Sequence, residues 1–561
     1  MQAAPARLSV STPLLSGGLT GFRRPATILA FNRLSEHIHM RFGKTSIAAV
    51  CAAFGVAASL LVTPLAAQAQ ATNQVRVAVG YKTGAGILLK AAILKAGGKV
   101  EADMDEAGAM IVTMPRARLA ALRAMSQVDF VDAGAPRHIL GKVGGRAVAT
   151  AGSQTVPYGI PMVQADQVSD AAAGNRTVCI VDSGIDGSHP DLAAVPKSGQ
   201  NFTTSGDWNT DENSHGTHVA GTIAAVNNDI GVVGVMPSAK INLRIAKVFD
   251  ASGSASSLTI AKAMFSCWRA HANVVSMSLG GSSASPIEQK IATFMANRGM
   301  LLIAAAGNAG DTTTSYPAGF AEVVSVAAVD SSKAKAGFSQ SNADVEIAGP
   351  GVNVLSTVPA GSQLGASVSV GESSYGALGM AGSPLLTATG PLADFGLGDT
   401  ATPGSMTGKV CLISRGNIAF SDKVLNCQNS GGIGAVIYNN TAGDLNGTLN
   451  GVVTTIPSVG TTQADGQTML GQLGQSSTVS VFVSDVQYAA YSGTSMATPH
   501  VSAVAALVWS RHTDCTAEQI RSSLNNSAMD LGAAGRDNDF GFGLAQAKAA
   551  DDRITAMGCG N

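Results

Sequence analysis

Three short strings hold the residue types that together turn a hydroxyl into a nucleophile near neutral pH. They are Val181-Asp182-Ser183-Gly184, His215-Gly216-Thr217-His218-Val219-Ala220-Gly221-Thr222 and Gly493-Thr494-Ser495-Met496-Ala497-Thr498-Pro499. A serine hydroxyl attacks poorly until an imidazole takes its proton, and the imidazole needs a carboxylate to fix its tautomer and stabilise its charged form. Asp182, His215 and Ser495 supply those three groups in the chain order Asp, His, Ser. Taken alone, Asp182 reads as a strand-end turn cap and Ser495 as a helix N-cap; all three strings in order point to acyl transfer. His215 and His218 also raise a metal reading. The Glu of a His-Glu-x-x-His helix is missing, however, and no third ligand stands nearby. His218, His189, His271, His500 and His512 read as hydrogen-bonded structural histidines.

The elements around the strings suit that chemistry. Thr177-Val178-Cys179-Ile180-Val181 is a short apolar run of the kind that forms a buried central strand. It leaves Asp182 at the carboxyl end, where open α/β sheets place their sites. His215 opens a stretch in which Val219, Ala220, Ile223 and Ala224 recur at helical spacing. Ser495 follows Gly493 and precedes an apolar helix running to Val508, with Pro499 in its first turns, where a missing amide proton costs little. The positive end of that helix favours a developing oxyanion. Leu301 to Ala306 is a further buried strand that ends in Gly307-Asn308; the Asn308 amide can donate to the oxyanion beside the Ser495 N–H.

With these strings, the chain resembles the subtilisin (subtilase) family of serine peptidases from about Gln154 to Pro359 and again from Tyr491 to about Ala549. The resemblance implies an α/β fold with a mostly parallel sheet flanked by helices. It makes Asp182, His215 and Ser495 the triad and Asn308 the oxyanion residue. It assigns Gly253, Ser254 and Ala255 to one side of an extended substrate, and Ser278, Leu279 and Gly280 to the other, as a three-stranded antiparallel arrangement. Ala305, Ala306, Gly307 and Ser315-Tyr316-Pro317 become walls and floor of the primary pocket. None of them is charged, whereas a trypsin-like preference needs a buried acid. Cleavage after medium or large apolar residues, with broad tolerance, is expected. The resemblance also implies a structural Ca²⁺ held by the side chains of Gln154, Asp191 and Asn228 and the carbonyls of Val226, Ile230 and Val232, an all-oxygen set.

Composition adds bounds. Among 561 residues the net charge is −1, which gives no reason to invoke nucleic acid. Only 13% of residues are charged and 65 are glycine, which suits a loop-rich exported hydrolase. Met40-Arg41-Phe42-Gly43-Lys44, an apolar stretch from Ile47 to Leu65, and the sites Ala67-Gln68-Ala69 and Ala69-Gln70-Ala71 have the form of a secretory signal. The expected destination is extracellular, or periplasmic in transit, with no stable membrane anchor once the signal is removed. Seven cysteines are present, and Cys51 would leave with the signal. The other six allow fifteen pairings. Sequence position favours Cys411–Cys427 and Cys515–Cys559, with Cys179–Cys267 left over.

The chain divides into residues 1–39, an upstream extension; 40–71, the signal; 72–140; 141–360; 361–488; and 489–561. Residues 72–140 alternate strands (Val75–Val79, Met110–Met114, Val128–Asp132) with helices (Ile87–Lys95, Ala117–Met125). They look like the family's inhibitory propeptide, an α+β unit that blocks the cleft until it is cut between Leu140 and Ser153. Segments 141–360 and 489–561 form the catalytic domain. Between them, 361–488 is a domain-sized insertion with strands around Val410 and Ile433 to Tyr438 and a helix over Phe420–Asn429. It resembles a mainly β protease-associated (PA) domain, a rim or lid over large substrates. The expected activity is that of a secreted serine endopeptidase, made as a zymogen, acting on proteins and peptides as a monomer. A catalytically silent binding protein on the same scaffold is the alternative.

Overall fold

The structure, a computed structural model, describes residues 73–140, 146–147 and 153–560. The upstream extension, the expected signal and most of the 141–152 linker lie outside these.

Seven strands form the central sheet, in the spatial order Val345–Pro350, Val323–Val329, Leu301–Ala305, Val274–Met277, Thr177–Asp182, Asn242–Lys247 and Lys197–Asn201. Every neighbouring pair is parallel. Such a sheet is covered on both faces, and its inner strands are therefore apolar at successive positions instead of at alternate ones. Residues of the Thr177–Asp182 strand serve the two faces in turn. Val178 and Ile180 pack into one core with Val219, Ile223, Val501 and Val504, and Cys179 and Val181 pack into the other with Ile260, Met264 and Ile291. The first face is covered by the His215–Ala224 and Thr494–Arg511 helices, the second by the Ser257–Arg269 and Pro286–Ala296 helices. Among the described residues no helix is long and apolar enough to cross a membrane.

Residues 73–132 form a separate four-stranded antiparallel sheet ordered Lys99–Met104, Ala109–Pro115, Gln74–Tyr81 and Val128–Asp132. The Lys99–Met104 strand has no counterpart in the sequence reading. Its burial alternates with Lys99, Glu101 and Asp103 outward, so only every second residue carries an apolar signal. The second helix is shorter than its apolar spacing suggests: a 3₁₀ turn at Arg116–Arg118 leads into Leu119–Arg123, because the chain turns at Met125 to enter the last strand. Ala78, Met104, Ala109 and Ile111 join the core beneath the Ser257–Arg269 and Pro286–Ala296 helices. This sheet is therefore packed onto the catalytic body.

Between the paired strands Val354–Thr357 and Tyr488–Tyr491 the chain leaves that body. It builds an eight-stranded mixed sheet with the helices Phe420–Asn429 and Gln463–Leu470 and cores of its own. Disulfides join Cys411 to Cys427 and Cys515 to Cys559, as sequence position favours, and Cys179 to Cys267, the pair left over.

Candidate active site

Asp182 ends its strand at the carboxyl edge of the sheet, and its carboxylate accepts from His215 Nδ1 at 2.8 and 3.0 Å. The Ser183 N–H also donates to it, at 2.7 Å. The imidazole can approach because the His215–Ala224 helix starts directly against the Asp182 turn. A Cβ on Gly216 would overlap the Gly184 carbonyl oxygen, so only glycine admits that approach. Asp211 fixes the start of the same helix. One of its carboxylate oxygens accepts from Ser214 N (2.8 Å) and Ser183 Oγ (2.8 Å), the other from Thr217 N (2.8 Å) and Thr217 Oγ1 (2.6 Å). Asp182 and His215 are thus held by two elements that share one carboxylate cap.

Ser495 lies in the first turn of the Thr494–Arg511 helix. Its hydroxyl donates to the Ser278 carbonyl at 2.9 Å, and Ser278 Oγ returns a bond to the Ser495 carbonyl at 2.8 Å. His215 Nε2 is buried and makes no hydrogen bond among the described residues. The sequence reading brings hydroxyl, imidazole and carboxylate into one chain of bonds. The structure makes the imidazole–carboxylate link and leaves the hydroxyl in a rotamer turned toward Ser278.

Asn308 follows Gly307, whose φ of +120° turns the chain out of the Leu301–Ala305 strand. Its carbonyl oxygen accepts from Thr494 N (2.9 Å) and Thr494 Oγ1 (2.8 Å), which fixes the way the amide points. The amide nitrogen donates to the Leu140 carbonyl at 2.7 Å.

Leu140 ends a segment that lies along the cleft. Pro136–Ile139 is the middle strand of three, antiparallel to Ser254–Ser256 on one side and to Leu279–Gly280 on the other. Ile139 N donates to the Gly253 carbonyl at 3.1 Å, and Leu140 N points to the Ser278 carbonyl at 3.5 Å. The Gly253–Ala255 and Ser278–Gly280 segments are thus the two sides of a groove that binds extended chain. The Leu140 side chain rests against Gly280, where an added Cβ would meet both Leu140 Cδ1 and Ser315 Oγ. A cavity of about 410 Å³ continues from it, lined by Gly307, Asn308, Thr314, Ser315 and Gln340 among others, none of them charged. Ala305, expected to line this pocket, is packed wholly within the sheet and does not reach the cavity. A larger cavity of about 720 Å³ lies elsewhere, between residues 101–104 and Lys262, Phe265 and Arg269, and its lining includes none of Asp182, His215, Asn308 and Ser495.

The Subtilase family profile matches residues 174–381 and 410–543. The chain belongs to this family. Subtilisin DY of Bacillus licheniformis is 42% identical over 213 residues, which cover 37% of this chain and 76% of that protein. Subtilisin E of Bacillus subtilis (strain 168) is 34% identical over 307 residues, 53% of this chain and 76% of that protein. Among solved structures, the psychrophilic subtilisin-like protease Apa1 from the Antarctic psychrotroph Pseudoalteromonas sp. AS-11 aligns with a TM-score of 0.54 and 43% identity, covering 72% of this chain and 99% of that one. The protein is a subtilisin-like serine endopeptidase.

Away from the cleft of this subtilase, Gln154, Asp191, Asn228 and the 226–232 loop converge. The Gln154 amide nitrogen lies 2.8 Å from the Val226 carbonyl, 3.2 Å from Asn228 Oδ1 and 3.3 Å from the Val232 carbonyl. Asp191 accepts from Val232 N (2.9 Å) and Asn228 Nδ2 (3.1 Å). Several oxygens therefore point at one small centre. Turning the Gln154 amide would add its own oxygen to them. Ile230 contributes its N–H to Asn228 Oδ1 at 3.3 Å. Among the described residues no three His, Cys, Asp or Glu side chains group as metal ligands. A site with one carboxylate has no such group to show.

The histidines set aside in the sequence reading divide. His218 Nε2 lies 2.9 Å from the Val354 carbonyl and 3.1 Å from the Ala489 carbonyl. His189, His500 and His512 bond to the Gln487 carbonyl, the Met496 carbonyl and Asp551. His271 departs from expectation: it sits exposed at a positive-φ turn after the Ser257–Arg269 helix. The sequence reading also missed Asp211 and Thr494. Asp211 stands three residues before Ser214 at a helix start, a capping pattern that can be read directly. Thr494 acts across the fold on Asn308, and nothing local marks it.

Proposed function

We propose that Ser495 is the acyl-forming nucleophile of a broad-specificity peptidase made as a zymogen, with His215 as its general base and then acid. Asp182 holds the imidazole through Nδ1 and stabilises the imidazolium that forms on acylation. Asn308, with the Ser495 N–H, binds the oxyanion, and its orientation by Thr494 leaves nothing to reorganise as charge develops. The hydroxyl leaves Ser278 for His215 when a scissile carbonyl enters. The observation that carries this reading is the 2.7 Å bond from Asn308 to the Leu140 carbonyl, at the end of a strand held on both sides as a substrate would be.

Residues 72–140 are, on this reading, an intramolecular inhibitor, and the first bond cut is Leu140–Gly141. Apolar residues are favoured next to the scissile bond, as the uncharged Leu140 pocket suggests. Residues 40–71 direct export and are removed in the process, and the exported chain acts as a monomer. The 361–488 insertion is a PA-like rim for large substrates. Gln154, Asp191, Asn228 and the carbonyls of Val226, Ile230 and Val232 hold a Ca²⁺ that pins the loop and takes no part in the reaction.

One experiment tests the core of this. Ser495→Ala should leave the full-length chain uncut at Leu140 and abolish casein hydrolysis and labelling by a serine-directed fluorophosphonate. Persistent processing of purified Ser495→Ala protein contradicts the assignment. A new amino terminus elsewhere than Gly141 in the wild type contradicts the cleavage site alone.

A further inference from the structure

The tail in the cleft carries an arginine, and the catalytic body carries the acid that meets it. Arg137 stands three residues before Leu140, and its guanidinium and the Glu288 carboxylate are both 0% exposed. Nε donates to Glu288 Oε1 at 3.0 Å and Oε2 at 3.1 Å; Nη2 pairs with Oε2 and also donates to the Ser283 carbonyl at 3.0 Å. Nη1 turns back to its own Pro136 carbonyl at 2.8 Å. Glu288 lies in the first turn of the Pro286–Ala296 helix and Ser283 in the loop before it, so both acceptors belong to the catalytic body. A Cβ on Gly281 would sit 2.9 Å from Arg137 Nη1, so the missing side chain clears the space the guanidinium fills. The Arg137 backbone is held in register opposite Ala255.

A carboxylate buried in a groove wall is costly unless a partner matches it. All the hydrogen bonds its oxygens make among the described residues go to Arg137. When residues 72–140 depart, Glu288 keeps its place in the groove and loses that partner. Asp132, the other acid at this helix end, leaves with the amino-terminal domain; there it accepts from Ser285 Oγ (2.6 Å) and Ile287 N (3.3 Å). The emptied wall then presents one carboxylate and one carbonyl, spaced for a planar fork of N–H donors. Arginine satisfies both acceptors, whereas lysine offers a point charge.

We propose that Glu288 makes the mature cleft select arginine at the fourth residue upstream of the bond it cuts, so that its substrates are extended segments with a cation there and an apolar residue at the bond. This rests on the peptidase reading above. The primary pocket sets a loose apolar preference, and the buried acid adds the discriminating contact further along the groove.

The test uses matured enzyme and fluorogenic peptides built on Pro-Arg-His-Ile-Leu, with the arginine replaced by Lys, Leu or Ala. Arg should exceed Leu by about 30-fold or more in kcat/KM, with Lys between. Glu288→Leu, made together with Arg137→Leu so that the tail still seats, should invert the order of Arg and Leu. Glu288→Gln should reduce the ratio to a few-fold. A shorter peptide ending before the fourth position should be cut equally by all forms, which separates selection from misfolding. Equal cleavage of the four peptides by the wild type, or an undiminished Arg preference in Glu288→Leu, overturns the proposal and leaves the peptidase reading intact. If no peptide nor casein is cut and Ser495 does not react with a fluorophosphonate, both fall.

Discussion

At the scale of single residues, orientation matters as much as identity. Asn308 could point either way, and the two bonds from Thr494 decide that its nitrogen faces the cleft. Asn308→Ala should therefore lower kcat by about 10²–10³-fold with KM little changed, measured on a peptide with leucine at the bond. The buried histidines set a pH limit. Burial pushes His218 down to about 3 and His500 down to about 4. In the unfolded chain each titrates near 6.5. Their folded pKa values lie below the unfolded ones, so the unfolded chain binds more protons in between. Stability is then full above about pH 6.5 and lost as the pH falls toward 3, by up to about 1.4 kcal/mol per pH unit for each histidine. Guanidinium unfolding of the Ser495→Ala protein at pH 7 and pH 5 checks this. We expect a loss of about 2–4 kcal/mol, and an unchanged midpoint contradicts it. Asp182, His215 and Ser495 were legible because each sits in a string of local signals. Glu288 was not. It reads as an ordinary first-turn acid on an amphipathic helix until the fold sets Arg137 beside it.

At the scale of elements, sequence pattern and structure agree where burial is one-sided or complete. The Thr177–Asp182, Leu301–Ala305 and Thr494–Arg511 elements follow their apolar runs to within three residues at either end. The Lys99–Met104 edge strand escaped because charge on its open face hides its period. The inserted sheet was only partly legible. Its Val410–Ser414 and Gly434–Tyr438 strands and the helix between them stand out, while the long antiparallel pair Gln363–Val370 and Ser476–Ser484 is built of Ser, Gly and Ala as much as Val. That insertion is rooted close to the site. Gln363 Nε2 donates to Tyr491 Oη at 2.7 Å, and Tyr491 Oη lies 2.8 Å from the hydroxyl of Ser214, the residue before His215. Replacing residues 364–486 by a short glycine-serine link keeps Gln363 and the Tyr488–Tyr491 strand. We expect casein hydrolysis to change several-fold relative to a tetrapeptide substrate. Equal effects on both reject a role as rim.

At the scale of the whole molecule, the catalytic body, the amino-terminal sheet and the insertion each have a core of their own, and the sheet shares a second core with the body. Family membership explains why the first was the easiest to read: its strings are contiguous, whereas the other two rest on pattern alone. The loop at 226–232 gathers the oxygens that the sequence placed there, around the Gln154 amide. If Ca²⁺ sits among them, EDTA should shorten the half-life of the mature enzyme at a fixed high temperature by about tenfold, and added Ca²⁺ should restore it. Indifference to both counts against the site.

The tail strand has a kinetic consequence. It is gripped by two neighbouring strands, a leucine plug and a buried ion pair, and cutting one peptide bond at its end removes none of these. A chain that severs itself at Leu140 would stay dormant with its own fragment in place until another molecule digests that fragment. Release would then feed on itself: a long quiet interval, shorter at higher protein concentration or with a trace of active enzyme added, followed by an abrupt rise.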